Sequence, residues 1–246
     1  MSEAALTTAL RTVRLAIGDS GKEQRLIRTV VRHGYRFVGT VTQAEARTTP
    51  DVDGEVPLPP RLARSSGFGF TGREHERSVL VDAWKTAAEG ALQVVLVSGE
   101  AGIGKTTLCS VVATAAHHDG AVVLYGRCDE ELSIPYQPWR EVLAGLDQHL
   151  PEVLAGHREA LATLMGGEGA ADLDSDSARF ALNSAVVDVL DAVSSRGQPA
   201  LVVLDDLHWA DGQTLALVRH LVERAPATPA LVVGTFRDTD IDASHP

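Results

Sequence analysis

The run Gly99-Glu100-Ala101-Gly102-Ile103-Gly104-Lys105-Thr106-Thr107 satisfies the pattern GxxxxGK[ST], and the apolar stretch Leu92 to Val97 leads straight into it. Residues of these types at this spacing can hold phosphate. Gly99, Gly102 and Gly104 admit backbone conformations closed to other residues, so successive N–H groups, that of Ile103 among them, can converge on phosphate oxygens. A helix is expected to follow, and its N-terminal dipole adds to the attraction. Lys105 would lie along the β- and γ-phosphates as a point charge, Thr106 would place its hydroxyl on magnesium, and the Thr107 amide would meet the α-phosphate. The competing reading, a glycine-rich turn that binds nothing, does not explain why every position of the pattern is filled in its strand-to-helix context.

Magnesium bridging two phosphates needs a carboxylate on its far side. Leu201-Val202-Val203-Leu204-Asp205-Asp206 supplies one, because four apolar residues carry a strand out of the core and two acids stand at its end. Ligands of open α/β sheets bind at that end of the strands. Asp205 is expected in the magnesium shell through water, and Asp206 is placed to orient or deprotonate an attacking water. Taken alone, an Asp pair after a strand often only caps the next helix; its pairing with the glycine-rich loop is what gives it weight. A last apolar run, Ala230 to Val233, ends in Gly234-Thr235-Phe236-Arg237. If this strand lies between the first and third, Arg237 would face the γ-phosphate and could sense it or stabilise transferred charge. An arginine closing a strand is more often a surface residue.

The elements that must position these residues are legible as periodicities. Helical spacing over Glu74 to Ala88 gives way to the run at Leu92, and further short apolar runs follow at Ala121 to Tyr125, Ala200 to Leu204 and Ala230 to Val233. Such runs suit strands buried on both faces. Strands alternating with helices predict an α/β fold, a P-loop NTPase parallel sheet with flanking helices. The Gly166 to Ser177 interval reads as an exposed acidic loop.

Ahead of this region, Leu6, Leu10, Val13 and Ile17 fall at helical spacing over Ala4 to Ile17, before a Gly18-Asp19-Ser20-Gly21 turn. Leu26 to Val31 and Tyr35 to Val38 are β-prone runs flanking Arg32-His33-Gly34, which reads as a hairpin. Residues 42 to 66 carry Pro50, Pro57, Pro59 and Pro60 and suit an extended linker.

Composition narrows the classes. Over 246 residues, 44% are hydrophobic, 22% charged and 4% aromatic, which excludes disordered and fibrous chains. No apolar run reaches membrane-spanning length and no signal-peptide pattern is present, so a cytoplasmic protein without a membrane partner is expected. Cys109 and Cys128 form no disulfide or metal-ligand pattern. The net charge of −11 hides an asymmetry: residues 1–41 hold seven basic against three acidic residues, a net +4, leaving −15 for the rest. A basic head on an acidic body fits a nucleic-acid-binding module joined to a regulatory domain, although a solvated basic face would give the same count.

Beyond the loop and the Asp pair, the chain resembles the STAND branch of AAA-like ATPases, particularly regulators whose domain opens with F-x-G-R-E-x-E. Here that signature is Phe70-Thr71-Gly72-Arg73-Glu74-His75-Glu76, and the likeness continues through Gly126-Arg127-Cys128-Asp129-Glu130, Pro135-Tyr136-Gln137-Pro138-Trp139, Leu204-Asp205-Asp206-Leu207-His208-Trp209-Ala210-Asp211 and the closing Gly-Thr-Phe-Arg. The resemblance implies that Phe70 and Gly72 border the adenine, that the cofactors are ATP or ADP with Mg2+, and that the domain is a switch. It implies slow turnover and self-association that differs between nucleotide states. Trp139 and Trp209 could equally be core aromatics, and His208 a helix-entry residue.

The head resembles the C-terminal half of an OmpR/PhoB-type winged helix, with Ala4 to Arg11 as recognition helix and Leu26 to Val30 with Gly34 to Phe37 as wing. That resemblance implies DNA as partner: Thr7, Thr8, Arg11 and Arg14 would lie toward the major groove, and Arg32 and His33 near phosphate or the minor groove. The expected organisation is a partial winged helix at 1–41, a flexible linker at 42–66 and an ATPase domain at 67–246 whose fifth strand and lid are missing. A fragment of a longer reading frame is expected, with DNA binding needing a complete winged helix. The leading expectation is an ATP-binding, signal-transducing transcription regulator. A P-loop phosphotransferase and a nucleotide-binding remnant without DNA binding are the alternatives; an Asp pair suited to water and the basic head argue against the first.

Overall fold

The computed structural model describes residues 10, 13–14, 18–30, 34–39, 56–65, 72–130, 134–166 and 175–238. The chain divides into two units, Met1–Asp51 and Val52–Pro246.

In the first unit, β1 (Ile27–Val30) and β2 (Gly34–Phe37) pair antiparallel, with Ile27 opposite Phe37 and Val30 opposite Gly34. The hairpin is therefore as the β-prone runs predict, while the helix expected over residues 4–17 falls largely outside the described residues. Asp19 braces this unit. Its Oδ1 accepts the N–H groups of Ser20 at 2.8 Å and Arg25 at 3.0 Å, and its Oδ2 those of Leu26 at 3.0 Å and Ile27 at 2.8 Å. Those donors, Ile27 foremost, hold the carboxyl well below the usual carboxylate range. Arg14 corrects an expectation: instead of projecting toward a duplex it is 8% exposed, and its guanidinium donates to Ile27 O at 2.9 Å and Thr29 Oγ1 at 3.2 Å.

The second unit is built on a parallel sheet. In chain order its elements are α1 (Pro60–Ser65), α2 (Glu74–Ala88), β3 (Gln93–Ser98), α3 (Lys105–His118), β4 (Val122–Arg127), α4 (Gln137–His149), α5 (Pro151–Leu154), α6 (Arg158–Met165), α7 (Asp176–Ser194), β5 (Ala200–Asp205), α8 (Gly212–Arg224) and β6 (Ala230–Phe236). The strand order is β3-β6-β5-β4, every neighbouring pair parallel. This is an α/β fold, a four-stranded parallel sheet flanked by helices, as the alternation of strands and helices in the sequence predicts.

Period-two alternation sorts the strand residues onto two cores. Val122, Leu124, Ala200, Val202, Leu204, Ala230 and Val232 face α4 to α8, whereas Val123, Leu201, Val203, Leu231 and Val233 face α1 to α3. Both faces are covered, so the central strands read as unbroken apolar runs. Trp139 is wholly buried in the first core, as its reading as a core aromatic anticipates, while Trp209 is 37% exposed.

Two expectations of composition are corrected here. Residues 56–65 lie in the span read as linker, yet Leu62 is buried against α3, Val56 is buried in the other core, His117 Nε2 lies 2.8 Å from Val56 O, and the Ser110 hydroxyl donates to Leu62 O. Prolines gave this stretch a linker composition, but apolar Val56, Leu58 and Leu62 dock it. At the other end, the acidic loop stops earlier than expected: Ser175 caps α7 by accepting the Ala178 N–H at 3.1 Å, so Asp176 and Ser177 are helical.

Candidate functional site

The glycine-rich loop joins β3 to α3, and its backbone requires glycine. Gly102 has φ +74° and Gly104 φ +95°, and a Cβ at either would meet nothing within 4 Å, so conformation rather than space excludes a side chain there. Gly104 is the N-cap of α3, whose first turn holds no acidic residue. The positive end of its dipole is thus left for an anion. Lys105, 7% exposed, opens the helix and donates from Nζ to Gly99 O at 2.7 Å and Glu100 O at 3.0 Å. Ile103 is 49% exposed at the loop's crest, and Thr107 is half-buried on the first turn.

Thr106 meets Asp205 across 99 positions of sequence. Its hydroxyl points at both carboxylate oxygens, 3.2 Å from Oδ1 and 3.0 Å from Oδ2. Register explains the encounter: β5 lies between β6 and β4, and its last residue, Asp205, leaves the sheet at the end where the β3 loop also emerges. Asp205 is 4% exposed and accepts two further hydroxyls, Thr235 Oγ1 on Oδ1 at 2.5 Å and Tyr125 OH on Oδ2 at 2.9 Å. Burial, reinforced by the Asp205 charge, keeps the Tyr125 phenol protonated far above its ordinary range. Burial likewise pushes the thiols of Cys109 and Cys128 up to about 12, which makes them inert packing groups.

Asp206 occupies the left-handed region at φ +61°. For a residue with a Cβ this conformation stores on the order of 1 kcal/mol or more, and such strain gathers at functional positions. Two bonds hold it: the Asp206 N–H donates to Thr235 Oγ1 at 3.0 Å, and Arg127 Nε donates to Asp206 Oδ2 at 2.9 Å. The pairing with Asp206 raises the Arg127 pKa further, and the Arg127 N–H binds Glu141 Oε2 at 3.1 Å. Burial raises the Glu141 carboxyl above its ordinary value.

β6 lies between β3 and β5, as the Arg237 reading requires. Arg237 follows β6 directly and is half-buried, two residues beyond Thr235. Gly72, half-buried at φ +85°, precedes α2, while Phe70 lies outside the described residues. Thr7, Thr8, Arg11, Arg32 and His33 also lie outside them.

Three partners escaped sequence reasoning. Tyr125 and Arg127 flank Gly126 on β4, and only strand adjacency brings them to the Asp pair. Asp211 caps α8 by accepting the N–H groups of Gln213 at 2.8 Å and Thr214 at 3.1 Å, and its Oδ2 takes the Tyr136 N–H at 3.1 Å. The Asp six residues after Asp205 in the quoted motif was the available signal, though its partner Tyr136 was not readable from spacing.

The donor set fits a nucleotide phosphate with a hard divalent cation: positive-φ glycines, an uncompensated helix N-terminus, one lysine, and hydroxyl and carboxylate oxygens. Among the described residues no cluster of His, Cys, Asp and Glu forms a separate metal site, and no helix is long and apolar enough to cross a membrane.

Residues 69–233 match the family described as AAA ATPase domain. An uncharacterised protein of Rhizobium meliloti (strain 1021) is 25% identical over 212 residues, covering 73% of this chain and 20% of that protein, so the chain spans about a fifth of its relative's length. Among solved structures, the ORC2 protein of Aeropyrum pernix is similar at 17% identity and TM-score 0.42, over 69% of this chain and 42% of that one. AMPPCP-bound DnaA from Aquifex aeolicus gives 15% identity and TM-score 0.37, over 73% and 43%.

Proposed function

We propose that this chain, which belongs to the AAA ATPase domain family, binds ATP or ADP with magnesium at the Lys105 loop and serves as the nucleotide switch of a transcription regulator. The observation that carries the nucleotide reading is the convergence of Thr106 and Asp205, 3.0 Å apart beside the Lys105 loop.

The loop amides and Lys105 hold the phosphates, and the Thr107 amide meets the α-phosphate. Thr106 and Asp205 hold magnesium, Asp205 through water. When bound, magnesium would supply positive charge that offsets the charge developing on the phosphate during transfer. Asp206 orients the attacking water and accepts its proton. Its ion pair with Arg127, Nε to Oδ2 at 2.9 Å, must loosen before that carboxylate can turn fully to the water, which suits slow turnover. Arg237 senses the γ-phosphate from the end of β6. Phe70 and Gly72 border the adenine.

The regulatory part of the reading rests on the basic head, with net +4 over residues 1–41, and on the hairpin it contains. DNA is the partner we assign to that head within a complete winged helix, with Thr7, Thr8, Arg11, Arg32 and His33 as contacts; a cytoplasmic setting and nucleotide-dependent self-association complete the proposal.

Calorimetric titration of ATP into the protein and into Lys105→Ala tests the nucleotide reading. Affinity in the micromolar range, weakened by about tenfold or more in the variant, is expected. Equal affinities would overturn it. For the head, titration against a candidate operator and a scrambled duplex at two salt concentrations should give weak, phosphate-driven binding that falls steeply with salt. Tight, sequence-selective binding would show that these residues need no further winged-helix sequence.

A further inference from the structure

The segment before the ATPase core is not merely packed beside the site; its contacts run into it. Residues 56–65 dock on α3, the helix that begins at Lys105, through buried Leu62 and through the bonds of Val56 O to His117 and of Leu62 O to Ser110. From α1 of that segment, the Arg61 guanidinium lies over the Tyr125 ring, 6.0 Å from its centroid. The hydroxyl of the same tyrosine donates to Asp205 Oδ2. A continuous chain of contacts therefore runs from the docked segment to the carboxylate assigned to the magnesium side.

Asp205 shows why this contact matters. A carboxylate offers about four acceptor sites. Thr235 occupies Oδ1 and Tyr125 occupies Oδ2, so the two oxygens are pinned from opposite strands and the carboxylate plane cannot swing freely. Thr235 is fully buried and itself fixed by the Asp206 N–H, whereas Tyr125 is half-buried, and Arg61 covers its ring. The Tyr125 pin is thus the one that the docked segment can influence.

We propose that Tyr125 is a positioning residue for Asp205, and that Arg61 ties the magnesium side of the nucleotide site to the docking of residues 56–65. This rests on the nucleotide reading given above. Binding couplings are reciprocal: if the docked segment strengthens magnesium-dependent nucleotide binding, then magnesium and nucleotide together strengthen its docking by the same factor. The device gives residues 56–65, which connect to the head, a packing state that reports nucleotide occupancy.

The test uses the full chain, Tyr125→Phe and Arg61→Ala, with ATP titrated in the presence and absence of magnesium. Tyr125→Phe removes one hydroxyl and keeps the ring, so the core stays packed. Without magnesium its ATP affinity should match that of the parent protein; with magnesium it should be weaker by about fivefold, the loss expected for one hydrogen bond. Arg61→Ala should act in the same direction with a smaller loss, about two- to threefold. Amide hydrogen exchange supplies the second readout: magnesium with ATP should increase protection at residues 56–65 in the parent protein, and the increase should shrink in Tyr125→Phe. If the parent protein binds ATP with a magnesium enhancement that Tyr125→Phe retains in full, or if protection at residues 56–65 ignores magnesium and ATP, the coupling is overturned alone. A parent protein that binds no ATP at all overturns the nucleotide reading and the coupling with it.

Discussion

Asp205 and Asp19 are both buried acids ringed by hydrogen-bond donors, at 4% and 5% exposure, but the donors differ in kind. Asp19 takes four backbone N–H groups, from Ser20, Arg25, Leu26 and Ile27, which the chain path fixes. Asp205 takes three side-chain hydroxyls, from Thr106, Tyr125 and Thr235. A hydroxyl can rotate its proton and offer its oxygen instead, whereas an amide can do neither. The first arrangement commits a carboxylate to the fold; the second leaves it able to exchange partners. Its neighbour Asp206 sharpens the contrast, since it sits in a strained left-handed conformation and engages a single movable arginine.

The largest effect is expected where that contrast reaches chemistry. Asn tolerates the left-handed region, so Asp206→Asn should keep its fold and its nucleotide affinity while losing the ability to accept a proton. Whatever steady-state hydrolysis the protein shows should fall by on the order of 100-fold or more. Equal turnover by the two proteins would remove Asp206 from the mechanism.

Next in size is a change that reaches both Asp205 and Asp206 through packing. A Cβ on Gly126 would lie 1.9 Å from Pro138 O, a backbone atom at the start of α4, so Gly126→Ala must push β4 and α4 apart. Loss of about 3 kcal/mol is expected, read as a lower denaturant midpoint at unchanged slope. Because Tyr125 and Arg127 flank that glycine, ATP affinity in magnesium should fall as well. An unchanged midpoint would refute the close approach.

Asp19→Asn examines the other side of the comparison. The amide keeps one acceptor oxygen but turns an NH2 group toward backbone donors that previously had a partner. Exchange protection should drop at Leu26 and Ile27 while ATP affinity is retained, and full protection in the variant would show that the four bonds do not hold the hairpin.

The smallest effect is a pH response. The folded Asp19 pKa is depressed, so its contribution to the hairpin is complete above the ordinary carboxylate pKa and is lost as pH falls through the lowered folded value. Amide resonances of Ile27 to Val30 should therefore hold steady down to that ordinary value and shift only in stronger acid, a response absent from Asp19→Asn. A shift near pH 6 would contradict the assignment.

What could be read from sequence follows the same division. The Lys105 loop, the Asp205 strand and the α2 helix were legible because each is specified by neighbours in sequence: a spacing pattern, an apolar run, a 3.6-residue period. The placement of β6 between β3 and β5 was legible only as a condition on Arg237. Tyr125, Arg127 and the Asp211 clamp on Tyr136 were not, because each depends on strand or helix adjacency that no local pattern encodes. Composition misled at residues 56–65, where three prolines outweighed Leu62, a side chain with no exposed surface. The winged-helix resemblance likewise gave no sign that Arg14 is buried and donates to Ile27 O and Thr29 Oγ1 on β1.

The central claim is that Asp205, ringed by hydroxyls, is the magnesium-side carboxylate of a nucleotide site. Asp205→Asn tests it most directly, with ATP affinity measured by calorimetry in magnesium and in chelator. The parent protein should bind ATP more tightly with magnesium, by about tenfold or more, and the variant should show the chelator value under both conditions. A variant that retains the full magnesium enhancement would contradict the assignment.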